Sequence, residues 1–334
     1  MREIGSEFLK RYKPAYQTNR KNEANLLSGR TALRYIIDDI NETRTIRKIL
    51  LPSYCCESMI EPFVSAGVEV LFYRVHKDGV DYLYENDADA ILLIDFFGYV
   101  NSQNVDIARS EKQAGKIVIY DATHKIGGNP TVETYSDYSF CSYRKWFYCN
   151  YAKAIKYNGD FHEIELKSNA RYLALREEAV EEKEKYFTDM TLGKDKFLFL
   201  FSEAERAIDE DYVGYSGIPV AFDFCRIASR RRENAAYLID KLKTIPEIRL
   251  WRDTLSDNDV PMFVPVLVDP DTRNDLRNSL IKEHIYCPVH WPKSTYHNMN
   301  DNLYDIELSL VCDQRYSVKD MERIINVIKK YFDR

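Results

Sequence analysis

Ser136-Asp137-Tyr138-Ser139-Phe140-Cys141-Ser142-Tyr143-Arg144-Lys145-Trp146 carries the clearest structural signal in the chain. Tyr138–Ser142 reads as a buried strand that runs out into a polar end, and that end sets one lysine between an arginine and a tryptophan. A solvated charge does not readily explain a lysine in that setting. Upstream, Ile117-Val118-Ile119-Tyr120 reads as a short apolar strand ending in Asp121-Ala122-Thr123-His124. Two strands that finish at a carboxylate and a lysine place both groups on one edge of a parallel sheet, where such sheets bind ligands.

Outward from this pair, strand and helix signals alternate. Residues 1–24 are polar and aperiodic and read as an arm lying on another surface. Ser28-Gly29-Arg30-Thr31 opens a helix whose apolar residues Leu33, Ile36, Ile37 and Ile40 follow the i, i+3, i+4, i+7 spacing. Such a start is either a plain N-cap or a set of free N–H groups facing an anion, and Arg30 inside the turn favours the anion. Ile49-Leu50-Leu51, residues 68–73 and Ala90–Ile94 read as further strands, with helices near 59–64 and 105–114. Continuous apolar strands between helices predict an α/β fold with a parallel sheet covered on both faces. A strand at 152–157 follows, then charged helices at 163–185, 197–208 and 219–243; Arg230-Arg231-Arg232 reads as a solvated face. From about 245 short strands alternate with helices at 273–284 and 318–332, a compact α+β unit. The expected division is therefore an arm (1–24), a large α/β domain (25–240) and a small α+β domain (241–334).

Composition narrows the function. Lys and Arg number 47 against 53 Asp and Glu, a net charge of −6, which does not suggest a nucleic-acid binder. The N-terminus has no apolar signal core, and the longest apolar run, near 90–97, is far too short to span a bilayer, so no membrane is expected. Seven cysteines with no Cys-x-x-Cys pair read as reduced thiols in a cytoplasm, with no metal site. There is no G-x-G-x-x-G and no G-x-x-x-x-G-K, which argues against the usual nicotinamide and ATP sites.

The two strand ends supply an acid and an amine, Asp121 and Lys145. An aspartate that keeps a pyridine nitrogen protonated and a lysine that forms a Schiff base are the protein's half of pyridoxal 5'-phosphate (PLP) chemistry. A lysine of ordinary pKa, about 10.4, is a poor base at pH 7, so a partly desolvated site beside Arg144 is expected to lower that of Lys145. For Asp121 the competing reading is a helix cap, and for His124 a satisfied core histidine.

Taken together and in order, Ser28-Gly29-Arg30-Thr31-Ala32-Leu33, Leu51-Pro52-Ser53-Tyr54, Asp121-Ala122-Thr123-His124, Arg144-Lys145-Trp146 and Glu307-Leu308-Ser309-Leu310 resemble fold-type I PLP enzymes. The resemblance is to the sugar aminotransferases of the DegT/DnrJ/EryC1/StrS family, and it runs from Leu26 to the last helix. It implies a mainly parallel, seven-stranded-type sheet with helices on both faces. It also implies that Lys145 is the Schiff-base lysine, Asp121 the partner of the pyridine nitrogen, and His124 a neighbour of the cofactor ring. Gly29, Arg30 and Thr31 match the phosphate-binding turn, and either Ser142 or Ser139 adds a phosphate contact. Tyr54 and Cys56 fall where relatives place an aromatic against the ring. Tyr215-Ser216 falls where relatives offer a Tyr-Asn pair to the neighbouring subunit's phosphate, which implies a homodimer with shared sites. Tyr151, Arg144 and Trp291 are candidates for the substrate mouth.

One departure is plain. Relatives follow the lysine with an acidic or polar residue and Gly-Gly, where this chain has Cys149-Asn150-Tyr151. The function implied is transfer of an amino group from glutamate or glutamine to a keto-sugar, nucleotide-linked, for polysaccharide or glycan precursors. The alternatives are another PLP reaction (a lyase, a dehydratase or an amino-acid aminotransferase) and a non-catalytic protein that keeps the fold.

Overall fold

The computed structural model describes residues 3–8, 20–163, 170–208, 223–296 and 302–333. In chain order the strands are β1 (Ile4–Gly5), β2 (Glu23–Leu26), β3 (Lys48–Pro52), β4 (Glu69–His76), β5 (Gly79–Asp81), β6 (Ala90–Ile94), β7 (Ile117–Asp121), β8 (Tyr138–Ser142), β9 (Ala152–Lys156), β10 (Arg249–Leu250), β11 (Phe263–Leu267), β12 (Ile285–Tyr286) and β13 (Glu307–Val311).

Eight of them form one sheet in the order β2-β9-β8-β7-β6-β3-β4-β5. The block from β8 to β4 is parallel, whereas β9 runs antiparallel to β8 and β5 antiparallel to β4. The eighth strand is β5, three residues that fold back on the end of β4. Every residue of β6, β7 and β8 is buried, as continuous apolar strands in a two-faced sheet require. Alternation along the strands divides the core. Ile49, Leu51, Leu92, Ile119 and Phe140 pack with Leu33, Ile36, Ile37 and Ile40 of the helix Gly29–Asn41. Leu50, Ile91, Leu93, Val118 and Tyr120 pack on the opposite face, with Ile107 and Ala108 of the helix Ser102–Gln113. That helix starts earlier than its apolar periodicity suggests, because the Asn101 side chain caps it by accepting from the Gln103 N–H at 3.1 Å.

The C-terminal layer is a three-stranded antiparallel sheet, β10-β11-β13. Its core joins Val264, Val266, Leu308 and Leu310 to Leu238 and Leu242 of the helix Phe224–Leu242 and to Ile324 and Ile328 of the helix Val318–Phe332. The N-terminus belongs to this layer as well: Ile4 is fully buried in it, and β1 pairs in parallel with β12. No helix among the described residues is long and apolar enough to cross a membrane.

Candidate active site

Adjacent parallel strands β7 and β8 end side by side, so their last residues and the turns that follow meet the N-terminus of the helix Gly29–Asn41. There they enclose a cavity of about 240 Å³ lined by Gly29, Arg30, Cys56, Asp121, His124, Ser142, Arg144, Lys145 and Trp291, with Thr123, Glu205, Met262 and His290 among the other walls.

Asp121 closes β7, is 4% exposed, and accepts from the Thr123 N–H at 2.7 Å. Burial pushes its carboxyl up to about 6, against the opposing pull of Thr123 and of the Lys145 ammonium. Thr123 also ties the two strand ends together: its hydroxyl accepts from the Ser142 N–H at 3.1 Å, and its carbonyl accepts from the Trp146 indole at 2.7 Å. Burial, with Lys145 nearby, pushes His124 down to about 3. Its Nδ1 accepts from the Phe97 N–H at 3.1 Å, which leaves the proton of the neutral ring on Nε2. Trp291 stacks on it, with ring centroids 5.4 Å apart and planes at 24°.

Lys145 ends the short turn Tyr143–Lys145, with its side chain open to the cavity and protein around it. Among the described residues no hydrogen bond or ion pair holds its Nζ. Burial, followed by the neighbouring Arg144, lowers its pKa, while Glu205 opposes the change. Arg144 is committed elsewhere, since its guanidinium grips the Glu205 carboxylate with two bonds, Nη1 to Oε1 and Nη2 to Oε2, the second at 3.1 Å. Glu205 is accordingly driven down to about 2, against its own burial. Glu205 sits on the helix Asp195–Ala207, far away in sequence, and no local signal marks it. For His290 the sequence allows two readings, a structural or surface group or, with Trp291, part of the substrate mouth. It lines the cavity, with its N–H on Glu307 Oε2 at 2.8 Å and its Nδ1 3.0 Å from the Ser309 hydroxyl.

Several residues singled out in the sequence stand off the cavity wall. Thr31 is used in the helix cap: its N–H donates to Ser28 Oγ at 3.1 Å, and the two hydroxyls meet at 2.9 Å. That leaves Ser28, Gly29 and Arg30 as the residues of this turn that face the cavity. Of the two serines Ser142 lines the cavity, whereas Ser139 has the opposite parity on the strand and bonds Tyr157 at 2.8 Å. Cys56 reaches the wall. Tyr54 is fully buried behind Trp291, 5.2 Å between ring centroids, and its hydroxyl donates to Glu307 at 3.3 Å. Tyr151 is also off the wall: it stacks on Tyr143 at 5.2 Å and donates to Asn25 at 2.8 Å. Tyr215 and Ser216 lie outside the described residues.

No protein-family model matches the sequence, and no curated protein matches it either. Solved structures do. PseC of Helicobacter pylori, an aminotransferase involved in the biosynthesis of pseudoaminic acid, is 14% identical, with 99% of this chain and 100% of that one covered at a TM-score of 0.69. NtdA of Bacillus subtilis, with bound cofactor PMP, is 13% identical over 93% of this chain and 73% of that one, at 0.65. A NifS-like protein of Rickettsia africae is 12% identical over 94% and 82%, at 0.59. At identities this low the likeness shows the fold alone: the chain has the fold of the fold-type I PLP enzymes.

Proposed function

We propose that the chain is a PLP-dependent aminotransferase that moves an amino group from glutamate or glutamine to a keto-sugar, nucleotide-linked, as a cytoplasmic homodimer. The observation that carries this reading is the meeting of Asp121 and Lys145, at the ends of neighbouring strands, with the helix start at Gly29 and Arg30 in one cavity. The residues fit the cofactor. A Cβ on Gly29 would stand 3.2 Å from Ser142 Cβ, so the bare backbone leaves room beside the serine for a phosphate at the helix N-terminus. Asp121 offers a desolvated carboxylate to a ring nitrogen, and Lys145 an ammonium whose lowered pKa suits it to covalent attachment and proton transfer. When bound, PLP supplies an electron sink that acidifies the Cα–H of the amino donor.

This chain's residues would do the rest. Asp121 would hold a charge for the ring nitrogen, His124 and Trp291 close one side of the cavity, and Lys145 Nζ would take and return the proton at the substrate carbon. The residues that replace Gly-Gly support the catalytic reading over a retained but silent fold, because Tyr151 packs on Tyr143 and leaves the cavity open. The keto-sugar is suggested by the likeness to PseC, an aminotransferase of pseudoaminic acid biosynthesis, and a dimer would let Tyr215 and Ser216 serve the neighbouring site.

Borohydride reduction after PLP addition tests the core of the reading. The pyridoxyl label should map to the peptide containing Arg144-Lys145-Trp146. A label on Lys153 or Lys156, or none, overturns it. A panel of nucleotide-linked keto-sugars and plain keto acids tests the acceptor: reaction of keto acids alone would make it an amino-acid aminotransferase. Sedimentation of a PLP-loaded monomer would remove the shared site.

A further inference from the structure

A second chamber, about 510 Å³, opens beside the first and shares Arg144, Lys145, Met262 and His290 with it. Its walls are rich in cations, with Lys183, Lys194, Arg277 and Arg315 joining the shared pair. Its floor is the start of the chain. Lys194 holds Glu3 at 2.9 Å, Arg315 donates to the Ser6 and Glu7 carbonyls at 3.1 and 3.2 Å, and the Gly5 N–H donates to the Tyr316 hydroxyl at 2.9 Å.

Within this chamber the charges do not close. Lys183 is 2% exposed and donates to the Ser6 hydroxyl and, at 3.3 Å, to the Glu7 carbonyl; among the described residues no carboxylate pairs with it. A buried ammonium with only neutral partners is costly, and the cost falls when an anion arrives. Arg176, on the same helix and behind the chamber wall, is 3% exposed, lies over the Phe201 ring at 4.9 Å, and leaves its Nε without a hydrogen-bond partner. One anion already reaches Arg176: Glu7 Oε2 stands 3.3 Å from its Nη2. That is a single long contact, and the Glu7 side chain stays 45% exposed while protein surrounds it. Glu205, by contrast, is gripped by two bonds from Arg144.

We propose that Arg176 and Lys183, beside Arg144 and Lys145, form a carboxylate-binding subsite that Glu7 occupies within the chain and vacates when a substrate carboxylate binds. The resident group tells the chemistry: a carboxylate lies there, paired with Arg176. If the aminotransferase reading holds, on which this assignment of the ligand rests, the incoming group is a carboxylate of the amino-acid donor. The first residues of the chain are then a competitor in the site.

The test uses glutarate, a dicarboxylate that has no amino or keto group to react, titrated calorimetrically into the full chain with and without PLP. Glu7→Gln should tighten glutarate binding about threefold to tenfold, the range set by releasing a site held by one partly exposed ion pair. Glu3→Gln removes the same charge from the same wall without vacating the subsite, and should change binding less than about twofold. Lys183→Met in the Glu7→Gln background should weaken binding about tenfold or more. Equal or weaker binding in Glu7→Gln, an equal gain in Glu3→Gln, or binding of inorganic phosphate but not glutarate would each overturn the proposal. Because glutarate binding is read without PLP, failure here is separate from failure of the borohydride label.

Discussion

The inner cavity and the outer chamber share one lysine and solve opposite electrostatic problems. The inner one is made of strand ends and a helix start, and its acid and its imidazole are both pushed toward neutrality by burial, Asp121 up to about 6 and His124 down to about 3. The outer one is made of helix faces, a C-terminal layer and the first residues of the chain, and it gathers cations. A desolvated site favours a ligand that brings its own compensating charge to Asp121, whereas a cationic one favours an anion whatever its shape. Lys145 stands at the junction, lowered by burial and by Arg144 and raised by Glu205 and Glu7. Lys145 is therefore set from both sides, by dryness within and by charge without.

The largest effect should come from Lys145→Ala. It should still bind PLP, because Gly29, Arg30 and Asp121 remain, but it should take no borohydride label and lose at least ~10²- to 10⁴-fold in turnover, the usual contribution of a general base. Normal turnover would break the inner-site reading outright.

Asp121→Asn separates activity from stability. The folded pKa of about 6 lies above the unfolded value of about 3.9. The proton therefore binds the native state first, so the contribution to stability is full below pH ~4 and is lost as pH rises toward 6. Without PLP, urea unfolding of Asp121→Asn should lack that downward slope and show a gain on the order of 2 kcal/mol at pH 7, while turnover should collapse. A loss of stability at pH 7 would mean that the native site favours the ionised acid.

Glu205→Gln sharpens the charge side of the comparison. It removes the carboxylate that raises Lys145, so the acid limb of the pH–rate profile should move to lower pH. Because the Glu205 side chain is 40% exposed, the stability cost should stay near ~1 kcal/mol. An alkaline shift would show that Lys145 does not feel this pair. The smallest effect belongs to Trp291→Leu, which should cost about 0.5–1.5 kcal/mol in thermal or urea unfolding through the lost stack on His124.

How much of this was legible follows the range of the interactions. Asp121 and Lys145 stand out because each ends a local run of apolar residues, and a buried strand writes itself in adjacent letters. Ser142 against Ser139 needed the covered face of β8, since alternation says only that the two serines differ in direction. Thr31 carries both a cap and an anion signal, and the cap wins for its hydroxyl because Ser28 sits within 2.9 Å. Glu7, Lys183 and Glu205 carried no signal at all: charges on polar segments look solvated until a distant wall closes over them.

Hydrophobic periodicity is a local property of the chain, so the alternation of strands and helices, the parallel sheet and the two strand ends that hold the acid and the amine are all written in neighbouring residues. Which serine, which aromatic and which charges face the cavity was settled by packing across the fold. Burial, and with it every shifted pKa, depends on what packs across the gap from residues far away in the chain.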